Sequence, residues 1–450
     1  MKTRPEEERM EALAEKHSIY LEDFRQRPAD QQGPDWLEAR RQAAIEAFER
    51  MGFPTRRWEA WRNIKLDALL QHHYRPAETL GVAPQVLQEA ISVAPDAPRL
   101  VFIDGVFSPQ HSTPDALPEG LTVKPLSEAL DEADVQQHLA AHADYEQHPF
   151  IALNTAFARQ GVYVHVPRGQ AVEQEVLFIF ACSDAGADRA SWPRVLVHAE
   201  ESAECRLIEW HGGPDGSAYL ASPVTEIIAE ANANVRLDRL QREGADAFHL
   251  GAVHAEADRD ARVHVQNFNF GGRISRVDYY GLLKGTAAEV IINGLYLGDR
   301  KRFTDQHTWM THDCEHGHSS QLFKGILKDK AEAVFDGLLK VEEGAQKTDG
   351  FQENRNLILS PMALAHSNPR LEIYADDVKC SHGSTVGELD KEAVFYLRSR
   401  GMDQDSAQAL LTWAFANEVL SEVRLDSLKT YQQRLLGGFL PGQADFEGLV

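Results

Sequence analysis

The sequence predicts a mainly β protein in which a solenoid of stacked coils lies between two helical ends. Three observations carry that expectation. A five-residue strand motif returns at a near-constant interval through the middle of the chain. From about Ile151, apolar and polar residues alternate with a period of two, punctuated by glycines. Before that point, and again after Gly387, apolar residues fall at helical spacing.

The N-terminal part, residues 1–150, reads as mostly helical. Glu6 to about Arg27 carries Met10, Leu13, Ile19 and Leu21 among charged residues. A second helix follows Pro34, at a position where proline is tolerated, and ends near Gly52. Leu100–Phe107 reads as a strand, and a short helix is expected near Leu130–Ala143.

The central part, residues 151–389, holds the repeats. Val162–Val166 alternates strictly. Six segments have the form apolar–x–apolar–x–apolar and begin at Ala203, Ala233, Ala261, Ala288, Ala333 and Val378. The first four are about 27 to 30 residues apart, within the range of repeat architectures. The last two gaps are about 45 residues, which predicts inserted loops. A strand that returns with the same small residue in the same phase indicates stacked coils of a β-solenoid. An antiparallel sandwich is the alternative that the pattern alone leaves standing.

The C-terminal part, residues 390–450, is helical again. Asp390 can cap a helix that stops at Gly401, and Asp403 or Asp405 can cap a longer one. Leu410, Leu411, Trp413, Ala414 and Val419 give that second helix a broad apolar surface, fit either for its own core or for a partner.

Two places could carry chemistry. Residues one, three and five of each motif share the inward face of a strand. In the last copy these are Val378, Cys380 and His382, where earlier copies mostly end in Val, Leu or Ile. An unpartnered buried imidazole would cost about 1–3 kcal/mol. A hydrogen bond, a metal, or exposure at the end of the solenoid must compensate. Cys380 and His382 would present thiolate and imidazole side by side, donors suited to iron or zinc; a core cysteine beside a satisfied histidine is the plainer reading. The second place is His307, His312, Cys314, His316 and His318, a density of donors that would suit a metal but matches no standard zinc spacing. Cys182 and Cys205 have no ligand-type neighbours and read as core.

Bulk properties narrow the class. The chain has 450 residues, ample for a large core, and a net charge of −23, which repels nucleic acid and anionic membranes. No apolar run is long enough to span a membrane, and the polar N-terminus lacks the features of a secretory signal, so a cytoplasmic location is expected. Four cysteines without a C-x-x-C pair are neither a disulfide framework nor a zinc ribbon or ferredoxin motif. No Walker A loop, catalytic triad or paired-carboxylate signature stands out, so neither an ATP site nor an enzyme is expected. A solenoid polysaccharide lyase or esterase would ordinarily be secreted. A free-standing metal-binding protein using residues 307–318 is the other rival.

Several long runs resemble a known family. LEIYADDVKCSHGSTVG followed by EAVFYLRSRGM, AEAVFDGLLKVEEGAQKTD and SQLFKGIL resemble the C-terminal core of the SufB/SufD family of iron–sulfur cluster assembly scaffolds. FPTRRWEAWRNIKLDAL and ALNTAFARQGVYVHVPRG resemble its N-terminal portions. Within the family, KCSHGSTVG is similar to the SufD branch; SufB-type chains usually carry a glutamate-rich version and more cysteines. The resemblance implies a right-handed parallel β-helix between helical regions. It implies pairing with SufB through the β-helices and binding of a SufC ATPase through the C-terminal helices, at Leu410, Leu411, Trp413 and Val419, with a homodimer possible for the chain alone. It also implies a transient iron–sulfur cluster at the SufB interface, with His382 contributing and Cys380 of lesser weight. The family's principal cysteine ligand belongs to SufB. No family role is carried onto the Cys314 loop.

Overall fold

Alternation places one row of each strand's side chains inside a coil and the other outside, and this chain repeats that arrangement many times over. In the computed structural model, residues 16–440 are described apart from 29–31, 78–80, 82, 159 and 184–187. The solenoid strands, in chain order, are β1 (Gly161–Val166), β2 (Val176–Ala181), β3 (Arg194–Ala199), β4 (Glu204–Gly212), β5 (Val224–Ala229), β6 (Asn234–Arg242), β7 (Phe248–Ala257) and β8 (Arg262–Asn269). They continue as β9 (Ile274–Leu283), β10 (Glu289–Gly298), β11 (Phe303–His312), β12 (His318–Leu327), β13 (Glu332–Val341), β14 (Asp349–Ile358), β15 (Leu364–Ile373) and β16 (Lys379–Gly387). Odd-numbered strands stack in parallel as one sheet and even-numbered strands as the other. The result is the expected parallel β-helix, of about seven turns.

The register explains the repeat. Cys205, Val235, Val263 and Val290 align across β4, β6, β8 and β10, and Leu207, Leu237, Val265 and Ile292 align beside them. Both rows are buried in the lumen. The alanine that opens each motif lies at a tight, fully buried corner, where only a small side chain fits. Just before it stands a residue with φ near +60°: Ser202, Asn232, Asp260, Ala287, His316 and Lys347 in successive coils. Each donates its N–H to a carbonyl of the next coil, from Ser202 to Ala231 through Lys347 to Asp377. The corners therefore form a hydrogen-bonded column of their own.

Two expectations need correction. The segment beginning at Ala333 lies on β13, in the other sheet. The fifth and sixth copies on the even sheet are Gly317–Gln321 and Thr348–Gln352, in register with Val290 above and Cys380 below. The interval is therefore continuous and no loops are inserted. These copies escape an apolar template because their inward residues are Ser319, Gln321, Gly350 and Gln352. Leu100–Phe107 is not one strand but a hairpin, Arg99–Ile103 against Val106–Phe107. Asp104 and Gly105, both with positive φ, form its tight turn.

Helices cover both sheets. The helical residues 16–25, α1 (Asp35–Met51) and α4 (Pro149–Phe157) build an aromatic-rich core against the odd sheet through Trp192, Leu220, Phe248 and Ile274. Residues 6–15 of the expected first helix lie outside the described residues. α4 runs across the 150/151 boundary at which the sequence pattern changes. Between α1 and α4 come α2 (Pro84–Val93) and the short α3 (Ala133–His138).

After β16 come α5 (Lys391–Ser399), α6 (Gln404–Leu420) and α7 (Asp426–Phe439). The caps are the expected ones: Asp390 accepts from the N–H groups of Glu392 and Ala393, and Asp403 from that of Ser406. α6 and α7 pack with α2 on Ile208, Trp210, Leu240, Phe268, Leu295 and Ile326 of the even sheet. Tyr431 donates to Glu89 at 2.7 Å and Ser427 to the Val93 carbonyl at 2.8 Å, tying the two helical ends together.

Candidate functional site: the open end of the solenoid

β15 and β16 are the last strands of their sheets. Nothing stacks beyond them among the described residues, so each leaves one edge of backbone donors and acceptors unpaired within the chain. Large apolar side chains are exposed in the same region: Leu364 and Ile373 on β15, Tyr374 after it, Val386 on β16 and Phe351 on β14.

His382 terminates an inward row. From the closed end this row runs Leu207, Leu237, Val265, Ile292, Gln321, Gln352, His382. It changes from aliphatic to amide to imidazole as it nears the open end. Gln352 is fully buried and donates to Gln321 at 3.2 Å, while His382 is exposed. Of the compensations considered for a polar group in this phase, exposure at the end of the solenoid is the one observed. Cys380 lies two residues earlier, in register with Gly350, and is half-buried. Burial pushes its thiol above the ordinary range, so at neutral pH it is not a ready thiolate. Cys182, Cys205 and Cys314 are buried, and burial pushes the Cys205 thiol up to about 12.

The five donors of residues 307–318 do not converge. His307 lies on the outer face of β11, buried beside Asp305 at 2.9 Å and Arg276 at 3.2 Å. His312 ends the same strand inside the lumen, 2.7 Å from Ser319 Oγ, and burial pushes its pKa down to about 4. Cys314 fills the corner next to it. His316 occupies the positive-φ corner position and is exposed. His318 is on the outside of β12, 3.9 Å from Asp349. Strand alternation and the corner turn scatter residues that the sequence brings close, so no single ion can be held by them.

The C-terminal surface divides in two. Val419 is fully buried against the solenoid, and Trp413 packs partly against the same core. Val419 therefore belongs to internal packing and is not available to a partner. Leu410 and Leu411 instead line an apolar groove of about 1000 Å³ between α5 and α6, with Leu397 and Ala414. Phe395 and Tyr396, 73% and 57% exposed, stand on α5 at its rim.

One group of ligand-type residues escapes a linear reading. Asp134 and His138 on α3 meet His198 on β3, with one ligand atom of each lying within 4.8 Å of the others. Among the described residues this is the one such group of three. Asp134, His138 and His142 recur at four-residue spacing, a visible signal. The nearness of His198 follows only from tertiary packing.

Among the described residues no helix is long and apolar enough to cross a membrane. Residues 14–177 match the family model described as the SufBD protein N-terminal region. Residues 180–415 match that of the SufBD core domain of SUF system FeS cluster assembly. The chain is 32% identical to the iron–sulfur cluster assembly protein SufD of Escherichia coli, over 90% of this chain and 93% of that protein. It is 30% identical to an iron–sulfur cluster assembly SufBD family protein of Synechocystis, over 87% and 89% respectively. The SufD protein of Bacillus subtilis is 24% identical over 91% of this chain and 94% of its own length. The chain belongs to the SufBD family of iron–sulfur cluster assembly proteins.

Proposed function

We propose that this chain is the SufD-type, non-catalytic subunit of a SufB–SufC–SufD scaffold. The observation that carries the proposal is the uncapped end of the solenoid. Two sheet edges end together at β15 and β16, amid exposed Leu364, Tyr374 and Val386, and the inner row stops at an exposed His382. A SufB-type β-helix meeting this end would pair with the free edges and bury that apolar surface. His382 would then face the partner, where it can hold iron of a nascent cluster shared between the two chains. Cys380 stands behind it as a neighbour of lesser importance. The same edges would pair two copies of this chain when SufB is absent.

The groove between α5 and α6 is the proposed seat of the SufC ATPase. Its apolar floor at Leu410 and Leu411 and its rim at Phe395 and Tyr396 suit a helix-in-groove contact. ATP hydrolysis by SufC supplies the work, and this chain transmits it to the SufB junction.

Co-expression with SufB and SufC, purification of the complex, and assay of iron and sulfide test the proposal. A Leu364→Asp/Tyr374→Asp variant should lose SufB, and Phe395→Asp should lose SufC alone. Retention of both partners by both variants would overturn it.

A further inference from the structure

The cluster around Asp134 lies on the outer face of the odd sheet, at its closed end, away from β15 and β16. Helix α3 supplies Asp134 and His138, and the chain just beyond supplies His142. Strands β1 and β3 supply His165 and His198, which are paired in register. Histidines here are surrounded by carboxylates, and the hydrogen bonds determine which ring nitrogens carry protons. An ionised carboxylate only accepts. Glu256 Oε1 lies 2.8 Å from His142 Nδ1, so that nitrogen donates. His142 Nε2 then accepts from His138 Nδ1 at 3.0 Å. His138 Nε2 is left as a lone-pair donor, 3.7 Å from Asp134 Oδ1.

His198 reaches the same point from the other side. Its Nε2 donates to Glu230 Oε1 at 3.3 Å. Its Nδ1 lies 2.7 Å from the same Oδ1, so in the metal-free chain a proton belongs between them. Asp134 Oδ2 is occupied separately by the hydroxyl of Tyr163, which donates at 2.7 Å. His165 is turned to Glu200 at 3.0 Å and stands aside. Two imidazoles and one carboxylate thus converge, one ligand atom of each lying within 4.8 Å of the others, and a metal ion would take the place of the proton between His198 and Asp134.

We propose that Asp134, His138 and His198 form a binding site for one divalent first-row transition-metal ion of the zinc or iron(II) class. Two imidazoles and one carboxylate are borderline donors that favour such ions over magnesium or calcium, which take oxygen ligands. Glu256–His142, Glu230 and Tyr163 are the outer partners that orient the ligands, as metal-binding histidines ordinarily require. Asp134 and His138 are half-buried, so solvent reaches the ion and water completes its coordination. The ion would join α3 of the N-terminal region to the first coils of the solenoid.

The full-length chain, stripped with chelator and dialysed, is titrated with zinc, with cobalt(II) followed by visible absorption, and with iron(II) without oxygen. One ion should bind per chain and raise the Tm, and cobalt should show ligand-field bands of a nitrogen- and oxygen-bound site. Asp134→Asn and His198→Ala should each weaken binding by about 100-fold or more, and Glu256→Gln by about 10–100-fold. His318→Ala should change nothing. Should His198→Ala fail to fold, His138→Gln, on the half-exposed helix, decides the matter: the metal-free Tm stays and the metal-induced rise is lost. Absence of a stoichiometric ion in the parent chain, or undiminished binding in His138→Gln, overturns the proposal.

Discussion

Gln352 and His382 are register partners on β14 and β16, one fully buried and the other exposed. The difference comes from position in the stack, since both side chains take the inward phase. Replacing His382 with Ala should therefore leave stability within about 0.5 kcal/mol, as for other surface changes. In the complex with SufB and SufC, the same variant should assemble normally and hold less iron and sulfide. Thermal unfolding of the chain and metal assay of the complex check the two halves. Normal cluster content in the variant would sink the role given to His382.

The two glutamines deeper in the row make a different case. Gln352 donates to Gln321 at 3.2 Å, but Gln352 Oε1 and Gln321 Nε2 have no partner among the described residues. Removing one amide strands the other, and either single Leu variant should lose about 1–3 kcal/mol. Replacing both with Leu continues the aliphatic row of Ile292 and should recover most of that loss. A double-mutant cycle in urea measures the coupling, which should exceed about 0.5 kcal/mol. Additive losses would contradict the pairing.

The same row shows how much of this molecule is legible in its sequence. Val235, Val263 and Val290 announce the coil, since an apolar lumen imposes a period-two pattern. Ser319, Gln321 and Gln352 hide two further copies, because the lumen becomes polar where the amides bond each other. The helix caps at Asp390 and Asp403 are local chemistry and can be read directly. The separation of His307 from His312 and His316 is not, because it depends on where the strand ends and the corner begins. His198 beside Asp134 is beyond any linear reading, being set by how α3 lies on β3.

Val419 and Phe395 separate packing from recognition in the C-terminal helices. Val419→Ala removes two methyl groups from a fully buried site and should cost about 2 kcal/mol. Phe395→Ala removes a side chain that is 73% exposed and should change stability by less than about 0.5 kcal/mol. Only Phe395→Ala should weaken SufC binding at temperatures where both variants are folded. Calorimetric unfolding and co-purification distinguish them, and equal loss of SufC from both would argue against the groove.

A buried ionic cluster in the lumen makes the fold sensitive to acid. Glu209 accepts from Arg239 Nε at 2.9 Å, from Thr225 at 2.8 Å and from His211 Nε2 at 3.0 Å. Burial pushes His211 down to about 4, with the Arg239 charge adding to it against the bond to Glu209. Burial alone would push Glu209 up, but His211 and Arg239 hold it down to about 2. Both folded-state values lie below their unfolded ones, so in each window the unfolded chain binds more protons and stability is lost as pH falls. For His211 the loss begins as pH falls through about 6.5 and continues to about 4, at up to about 1.4 kcal/mol per pH unit. For Glu209 it begins near 4.5 and continues towards 2. His211→Gln keeps a donor for Glu209 and removes the first titration. Urea midpoints of this variant should therefore fall less than those of the parent between pH 7 and pH 5. Parallel curves for the two proteins would show that His211 is not the group responsible.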